Sequence, residues 1–523
     1  MPLTGELFIG NERVGSSDSF AARDATSQSE LAVRFAAASA AQAAAACELA
    51  ATALEPYVTA PLETRARFLE ACATNITELG DELIERGSAE TALPRARLLS
   101  ERGRTVMQLN LFAQLVRQGD WLGLRIDHAL PERTPLPRPE LRLRQIPLGP
   151  VVVFGASNFP LAFSAGGGDV ASALAAGCPV LVKAHPAHPG TSELVAGAIV
   201  AAVQSSGLPS GTYSHLSGPS HTLGEALVNH PAIRAVGFTG SRKGGLALLA
   251  LAAKRPVPIP VYAEMSSINP VILLPAALAA RARDLAGAFV SSLTMGVGQF
   301  CTNPGLILLI DSPHAEAFIT QASALLQEAP AGTMLSPGIC SNFSHGVAHL
   351  AGAQPVRELA RGKAGGAGAA IAALFSVRAQ DFIADRSLAE EVFGPSALIV
   401  RCSDGAELAR VLQTLEGQLT ATLQIEAEDY PLAKSLLPIL EHGAGRILAN
   451  GWPTGVEVAP AMVHGGPYPA TSDGRTTSVG TLAIERFLRP VCYQNLPPAL
   501  LPAELQDGNA QRYRPLIDGQ YLP

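Results

Sequence analysis

One cysteine lies in a short segment whose residue types could support nucleophilic chemistry. The segment 298–305 reads GQFCTNPG and places Cys301 between two glycines, which let the backbone turn sharply and approach a ligand closely. The apolar run 288–295 before it predicts a helix, and the run 306–310 after it predicts a buried strand. Because a single cysteine is usually an inert core residue, the assignment of Cys301 as a nucleophile depends on the residues that the fold brings to it.

Polar side chains stand at the ends of four predicted strands, which cover about 151–154, 179–183, 233–238 and 259–263. These side chains belong to Asn158, Lys183, Ser241 and Glu264. Strands that alternate with helices predict parallel βαβ units in a doubly wound sheet. Since ligands of such sheets bind at the carboxyl ends of the strands, we expect these side chains to line one site.

Composition and charge exclude several classes of protein. A chain of 523 residues with 48% hydrophobic and 16% charged residues is globular and long enough for two or three domains. The net charge of -7, without a basic run, argues against a nucleic-acid partner. Seven scattered cysteines without C-x-x-C spacing predict a reducing, cytoplasmic location and no disulfide framework or metal site. We find no signal pattern and no apolar run of membrane length.

The chain before the predicted sheet has a helical pattern. The alanine-rich stretch from Glu30 to about Ala53 predicts a helix, and amphipathic helices follow up to about residue 119. We find no motif with chemistry in the first 120 residues and predict a helical layer that covers a sheet. The stretch 140–146 alternates apolar and charged residues, so it predicts an exposed strand. That strand is either an arm that pairs with another subunit or a solvated linker, and both interpretations remain open.

Five motifs in order identify a resemblance to the aldehyde dehydrogenase family. They are NFP at 158–160, FTGS at 238–241, AEMSSINP at 263–270, GQFC at 298–301 and EEVFGP at 390–395. One such motif would be weak evidence, but five in family order over about 150–480 are specific.

The resemblance also implies an α/β fold class with three parts. A doubly wound parallel-sheet cofactor domain would comprise 1–130 and 150–265, and an α/β catalytic domain with Cys301 would comprise 266–475. A small β oligomerisation arm and C-terminal tail would comprise 131–149 and 480–523. Such an enzyme would be a homodimer or a homotetramer.

Oxidation of an aldehyde to an acid requires a nucleophile, a hydride acceptor and a base that activates water. The Cys301 thiolate would attack the carbonyl and give a thiohemiacetal. Asn158 and the backbone N–H of Cys301 would stabilise the oxyanion, and Glu264 would activate water for release of the acid. His464 either assists acid–base chemistry or is a structural hydrogen-bonding residue, and the sequence does not decide between the two.

The resemblance implies a nicotinamide cofactor held by residues at strand ends and in the late motif. They are Lys183, His185, Thr239, Gly240, Ser241, Glu391 and Phe393. The N-terminal N–H groups of the helix after Ser241 suit a diphosphate. Many NAD-preferring relatives carry a glutamate where this chain has Pro186, so we expect NADP to be used at least as well as NAD. His185 or Lys183 would attract the 2'-phosphate.

Further segments resemble one branch of the family. The segments 185–190, 450–456 and 464–472 are similar to those of enzymes that oxidise 2,5-dioxopentanoate to 2-oxoglutarate. A related branch that oxidises long-chain fatty aldehydes shares several of these marks and is the alternative. A coenzyme A-acylating enzyme and an inactive cofactor-binding homologue are further alternatives. Glu264 argues against the acylating enzyme, and Cys301, Glu264 and Asn158 together argue against the inactive homologue. The sequence does not identify an anchor for the substrate carboxylate.

Overall fold

The computed structural model describes residues 3–366 and 368–521. Residues 1, 2, 367, 522 and 523, which belong to the predicted domain ranges, lie outside the described residues. Two seven-stranded sheets and one five-stranded sheet form the framework.

The strands are two to eight residues long. In chain order they are β1 (Leu7–Ile9), β2 (Glu12–Val14), β3 (Asp18–Arg23), β4 (Glu30–Ala37), β5 (Arg125–Asp127), β6 (Leu141–Pro147), β7 (Val151–Phe154), β8 (Val180–Lys183), β9 (Tyr213–Leu216), β10 (Ala235–Thr239), β11 (Val261–Glu264), β12 (Val271–Leu273), β13 (Leu306–Ile310), β14 (Gly332–Thr333), β15 (Arg357–Arg361), β16 (Ala369–Ala370), β17 (Ala373–Arg378), β18 (Ser396–Cys402), β19 (Gln418–Gln424), β20 (Ala444–Ala449), β21 (Leu488–Gln494), β22 (Leu516–Ile517) and β23 (Gln520–Tyr521).

Helices cover the faces of the two large sheets. They are α1 (Ala40–Thr59), α2 (Leu62–Glu78), α3 (Gly80–Thr91), α4 (Arg95–Gln118), α5 (Gly168–Ala176), α6 (Pro189–Ser205), α7 (His221–Asn229), α8 (Arg242–Ala253), α9 (Pro275–Thr294), α10 (Pro313–Gln327), α11 (Pro337–Gly352), α12 (Ala379–Ala384), α13 (Gly405–Thr414) and α14 (Tyr430–Gly443). Within the described residues, no helix is both long and apolar enough to cross a membrane.

The first large sheet has the strand order β11-β10-β7-β8-β9-β1-β2. Its first five strands are parallel, and β1 and β2 add an antiparallel edge. Alternate residues of β7 enter different cores: Val151 and Val153 pack into one hydrophobic cluster and Val152 into another. Because successive strand side chains point to opposite faces, this sheet is covered on both sides, which confirms the predicted doubly wound α/β class.

The second large sheet has the order β15-β17-β18-β13-β12-β19-β20. All its neighbours are parallel except β15, which pairs antiparallel with β17. It is also buried on both faces, since Ile307 and Leu309 enter one cluster and Leu306 and Leu308 enter another. The loop with Cys301 therefore leads directly into β13, a central strand of this sheet.

The third sheet joins distant parts of the chain in the order β21-β6-β5-β22-β23. The predicted strand at 140–146 is β6, which pairs along its length with β21 near the C-terminus. A buried ion pair connects the same C-terminal region to helix α5: Arg486 Nη2 lies 2.7 Å from Asp169 Oδ1. The C-terminal region is thus held both by a strand pair and by a buried charge contact.

The prediction of one helix from Glu30 to about Ala53 is wrong for its first part. Residues 30–37 form β4, which pairs antiparallel with β3. The exposure of β4 alternates along most of its length, and Phe35 is buried beside Phe20, with ring centroids 5.9 Å apart. Helix α1 begins only after Ser39, whose hydroxyl accepts from the backbone N–H of Gln42 in a capping box. The many alanines of this stretch favoured the prediction of a helix, so neither the alternating exposure of β4 nor the cap at Ser39 was predicted.

Candidate active site

The predicted nucleophile loop, residues 298–305 with Cys301, begins at a sharp reversal of the chain. After α9 ends, Gly296, Val297 and Gly298 all adopt left-handed backbone angles, with φ values of 54°, 60° and 65°. A Cβ atom at Gly298 would overlap the backbone of Gly394 and Pro395. Because only glycine fits this approach, the loop with Cys301 packs closely against the segment that contains Glu391 and Phe393.

A buried amide holds the far side of this loop. Asn269, which is fully buried and has a φ of 49°, donates from Nδ2 to the carbonyl oxygens of Cys301 and Asn303, each at 2.9 Å. Gln418 Oε1 in turn accepts from the backbone N–H groups of Ile268 and Asn269 at 2.8 and 3.1 Å. The position of Cys301 is therefore fixed by the segment before β12 and by the start of β19 as well as by its own loop.

Glu264 is the last residue of β11 and meets a segment from the C-terminal part of the chain. Glu264 and Thr471 form an isolated antiparallel bridge, and the N–H of Met265 donates to the carbonyl of Ala470 at 2.8 Å. The N–H of Ala263 also donates to Ser472 Oγ at 2.8 Å. This pairing brings the segment 464–478 to the carboxyl end of the first large sheet.

A thiol, an imidazole and a carboxylate meet in this buried corner. Cys301 Sγ lies 3.4 Å from His464 Nε2, and the same nitrogen lies 3.0 Å from Glu264 Oε1. Ser478 Oγ donates to the other carboxylate oxygen of Glu264 at 2.8 Å. The side chains of His464 and Glu264 are only 1% and 3% exposed. Since Nε2 carries at most one hydrogen, it serves either the sulfur or the carboxylate.

Burial and neighbouring charges set the protonation of this corner. Burial and the charge of Glu264 hold the pKa of the Cys301 thiol well above its ordinary value. Burial favours the protonated carboxyl of Glu264, but contacts with His464, Ser478 and Cys301 outweigh it and lower the pKa of Glu264. The corner therefore holds a protonated thiol next to an ionised carboxylate, with an imidazole between them.

Asn158 lies next to the nucleophile loop. Its Nδ2 donates to the carbonyl oxygen of Gln299 at 3.0 Å. An amide carries two hydrogens, so one remains for another acceptor. Phe159 and Phe163 follow it and form an aromatic wall with Phe300 of the nucleophile loop; Phe159 has its ring centroid 5.3 Å from that of Phe163 and 5.5 Å from that of Phe300.

Three residues predicted to bind the cofactor lie at one edge of the first large sheet. Lys183 ends β8, and burial lowers its pKa to about 8. Thr239 ends β10, and its hydroxyl is buried without a partner in the described part of the chain. Ser241 caps α8 by accepting from the N–H of Gly244 at 3.2 Å. A cation, an unpaired hydroxyl and a helix N-terminus suit the phosphates and ribose of a dinucleotide.

The other predicted cofactor residues have different surroundings. Gly240 donates its backbone N–H to the carbonyl of Glu264 at 3.1 Å, and this bond connects the turn 239–241 to the end of β11. The His185 ring stacks on His188 at 5.5 Å, and burial, with His188 and Lys183, holds the pKa of His185 well below its ordinary value. Burial and, to a smaller extent, the charge of Glu264 raise the pKa of Glu391 to about 8, although a hydrogen bond from the backbone of Ser267 acts in the opposite direction. Phe393 lies beside Glu391 in the same half-buried segment.

The thiol, imidazole and carboxylate are also a donor set that could bind a metal ion. One ligand atom each from Glu264, Cys301 and His464 lie within 4.8 Å of one another. A thiolate, an imidazole and a carboxylate are ordinary zinc ligands. We interpret the cluster as a catalytic group, and the absence of a bound metal stays a prediction.

Several residues of the site were not predicted as functional. They are Asn269, Gln418, Ser478 and Arg104. Asn269 stands in the motif at 263–270, which could have indicated it, and Ser478 follows the segment 464–472. Gln418 and Arg104 stand in no motif. Arg104 lies in the helical layer that was expected to carry no chemistry, and its guanidinium stacks on Phe163 at 5.8 Å.

Two largely parallel sheets meet near Cys301, and groups that suit a dinucleotide lie at one edge of the first sheet; this arrangement is typical of dehydrogenases. Comparison with known families identifies which one. The model of the aldehyde dehydrogenase family matches residues 14–468, and the chain belongs to that family. Members of the family use NAD or NADP, so the predicted class of enzyme and of cofactor is confirmed.

Two relatives and one solved structure show the extent of the similarity. The chain is 59% identical over 523 residues to alpha-ketoglutaric semialdehyde dehydrogenase 2 of Azospirillum brasilense, covering 99% of this chain and 100% of that protein. It is 50% identical over 465 residues to alpha-ketoglutaric semialdehyde dehydrogenase of Acinetobacter baylyi, covering 87% of each. The structure of 1-pyrroline-5-carboxylate dehydrogenase from Thermus with bound NAD has a TM-score of 0.79 at 23% identity, covering 94% of this chain and 93% of that one. This last likeness concerns the fold alone.

Proposed function

We propose that the protein oxidises 2,5-dioxopentanoate to 2-oxoglutarate with a nicotinamide cofactor. One observation carries the proposal: the identity of 59% over the full length of the Azospirillum enzyme, in a chain whose structure brings Cys301, His464 and Glu264 into contact. Relatives with that identity over the whole chain commonly share a substrate class, whereas structures near 20% identity share only a fold.

The proposed chemistry begins at the sulfur. As Cys301 Sγ forms a bond to the aldehyde carbon, its proton passes to His464 Nε2, which is 3.4 Å away and next to the carboxylate of Glu264. The carbonyl electrons move to the oxygen, where the second amide hydrogen of Asn158 and the N–H of Cys301 stabilise the charge. The product of this step is a thiohemiacetal.

When bound, the nicotinamide cofactor accepts the hydride. The chain's own residues hold the resulting thioester at Cys301 and prepare water for attack. Glu264 is suited as the base because its pKa lies below the ordinary value and it is therefore ionised at neutral pH. Water loses a proton to Glu264 and attacks the thioester, and the C–S bond breaks so that the thiolate leaves and the acid is released. His464 returns the proton to the sulfur.

For cofactor binding we propose that Lys183 is the cation that meets a 2'-phosphate. His185 is neutral because of its burial, so it contributes as a hydrogen-bonding residue and not as a charge. Thr239, Gly240 and Ser241 would meet the diphosphate, and Glu391 and Phe393 would hold and pack against the nicotinamide ribose. This set supports NADP at least as well as NAD.

The alternatives find less support in the site. A fatty-aldehyde enzyme needs a long apolar channel, but the guanidinium groups of Arg97 and Arg104 lie over the aromatic wall, at 4.5 Å from Phe159 and 5.8 Å from Phe163. An inactive homologue has no need of a buried, costly contact between three polar groups. The acylating alternative does not account for an ionised Glu264 next to the thiol.

We also propose the predicted division into cofactor domain, catalytic domain and oligomerisation arm, with the protein as a homodimer or homotetramer. Strand β21 pairs with β6 on one side, and its other side has no partner among the described strands. An unpaired strand edge suits the addition of a strand from a second copy. The cytoplasmic location inferred from the cysteines stays a prediction.

Replacement of the proposed base separates formation of the thioester from its hydrolysis. In Glu264→Gln we expect a burst of about one reduced cofactor per active site, then slow turnover, because the amide cannot take a proton from water. Stopped-flow absorbance of the reduced cofactor measures it. Cys301→Ala is the control and should bind cofactor but give no burst. A steady-state rate equal to that of the wild type, without a burst, would show that another group activates water.

The substrate proposal predicts a preference for an aldehyde with a distant carboxylate. We expect kcat/KM for 2,5-dioxopentanoate to exceed that for pentanal, which has the same length, by at least roughly 10-fold, the scale of one charge-assisted contact. Initial rates at saturating NADP measure both values. More efficient oxidation of decanal than of 2,5-dioxopentanoate would move the protein to the fatty-aldehyde branch.

The cofactor proposal predicts an effect of both charge and pH. Pro186→Glu should lower the ratio of kcat/KM for NADP to that for NAD by about 10-fold through repulsion of the 2'-phosphate, while Pro186→Ala should change it little. Lys183 loses its proton as pH rises through about 8, where its pKa lies below the ordinary 10.5. The KM for NADP should therefore rise above pH 8 more steeply than the KM for NAD. A wild type strictly specific for NAD would refute this argument.

The assembly proposal predicts a defined oligomer that depends on β21. Light scattering should give the mass of a dimer or tetramer for the wild type. The double variant Cys492→Glu and Gln494→Glu, which adds charge to two exposed positions of β21, should shift the mass towards a monomer. Gln327→Glu, at the exposed end of α10, is the control. A monomeric wild type would contradict the proposal.

A further inference from the structure

One arginine of the helical layer lies close to the buried catalytic corner. Arg104 in α4 places its guanidinium carbon 5.8 Å from the ring centroid of Phe163. The Phe163 ring is 6.1 Å from the ring of His464, which contacts Cys301 Sγ at 3.4 Å. The order from the helix to the reacting atom is therefore guanidinium, aromatic ring, imidazole and thiol.

The donors of Arg104 are only partly used. Its Nη1 donates to the backbone carbonyl of Val456, whereas Nε and Nη2 are enclosed by protein and have no hydrogen-bond partner. Among the arginines that the structure describes, it alone has a terminal guanidinium nitrogen in that condition. A buried donor of a charged group is costly when unpaired, so these two nitrogens require an acceptor.

Neighbouring charged groups do not supply that acceptor. Glu101 accepts from Arg97 and from the backbone N–H groups of Leu161 and Ala162. Glu457 is exposed and accepts from the N–H of Val458 at 3.0 Å.

The nearby Arg446 differs from Arg104 in this respect. Both of its terminal nitrogens donate to backbone carbonyls, those of Gly455 and Pro453, each at 2.7 Å. Arg446 therefore holds the loop 453–456, whereas two donors of Arg104 have no hydrogen-bond partner.

We propose that Arg104 binds the carboxylate of the substrate through Nε and Nη2, an inference that rests on the proposed function. These two nitrogens form one edge of the planar guanidinium, and such an edge matches the two oxygens of a carboxylate. Burial also lowers the pKa of Arg104, so an anion at this place stabilises the cation. The aldehyde at the other end of a short substrate then points past Phe163 towards Cys301. Arg104 is a specificity residue that takes no part in bond making.

Removal of the charge should affect substrates with a carboxylate selectively. In Arg104→Met we expect kcat/KM for 2,5-dioxopentanoate to fall at least roughly 10-fold, mainly through KM, and that for pentanal to fall much less. The inhibition constant of 2-oxoglutarate should rise by a similar factor. Arg104→Lys keeps the charge without the planar edge and should recover part of the loss. Arg102→Met is the matched control, because Arg102 is a half-buried arginine of the same helix that donates to the carbonyl of Gly80.

The outcomes distinguish a failure of this inference from a failure of the proposed function. Equal losses for both aldehydes, with no recovery in Arg104→Lys, would show that Arg104 only supports the loop at Val456. An unchanged KM for 2,5-dioxopentanoate would also refute the anchor. If the wild type prefers succinic semialdehyde, the proposed substrate is wrong, and the same variants still test the anchor with that semialdehyde. If no aldehyde with a carboxylate is preferred over pentanal, both proposals are overturned.

Discussion

The buried contact of Cys301, His464 and Glu264 is the constraint on which the rest of the structure depends. The imidazole and the carboxylate are almost fully buried next to the half-buried thiol, and a buried carboxylate is costly unless it is paired and hydrogen-bonded. The fold offsets this cost with His464 on one carboxylate oxygen and Ser478 on the other. Glu264, Cys301 and His464 come from three different parts of the chain, so the contact forms only when both large sheets and the C-terminal segment are in place.

The connections between these parts explain how the contact is held. The short segment between Glu264 and β12 crosses from the first large sheet to the second, and Asn269 within it binds the carbonyl of Cys301. The segment that carries His464 and Ser478 pairs with the end of β11 at Thr471. A displacement of either sheet would therefore move the thiol, the imidazole and the carboxylate relative to one another. Rigid amides and strand pairing position the groups, so the side chains need little reorganisation for reaction.

Local patterns in the sequence predicted much of this arrangement but not all of it. The strands before Lys183, Thr239 and Glu264 were evident because buried parallel strands are short apolar runs that end in polar residues. The role of His464 stayed undecided because 163 positions separate it from Cys301, and periodicity carries no information about such a contact. The strand at 30–37 was missed because its alanines favour a helix while its pairing with β3 decides the structure.

Arg104 was missed for a related physical reason. A helix that covers a sheet shows polar and charged residues at regular spacing, and most of them face solvent. Arg97 and Arg104 cannot be told apart by their spacing in the sequence. In the structure, Arg97 forms an ion pair with Glu101, whereas Nε and Nη2 of Arg104 have no hydrogen-bond partner. In the proposed mechanism the thiol, imidazole and carboxylate act on the carbonyl alone, so these groups would serve any aldehyde. Selectivity among aldehydes would therefore depend on residues that can be substituted without disturbing this contact. Arg104 meets that condition because it lies in a helix that covers the sheet.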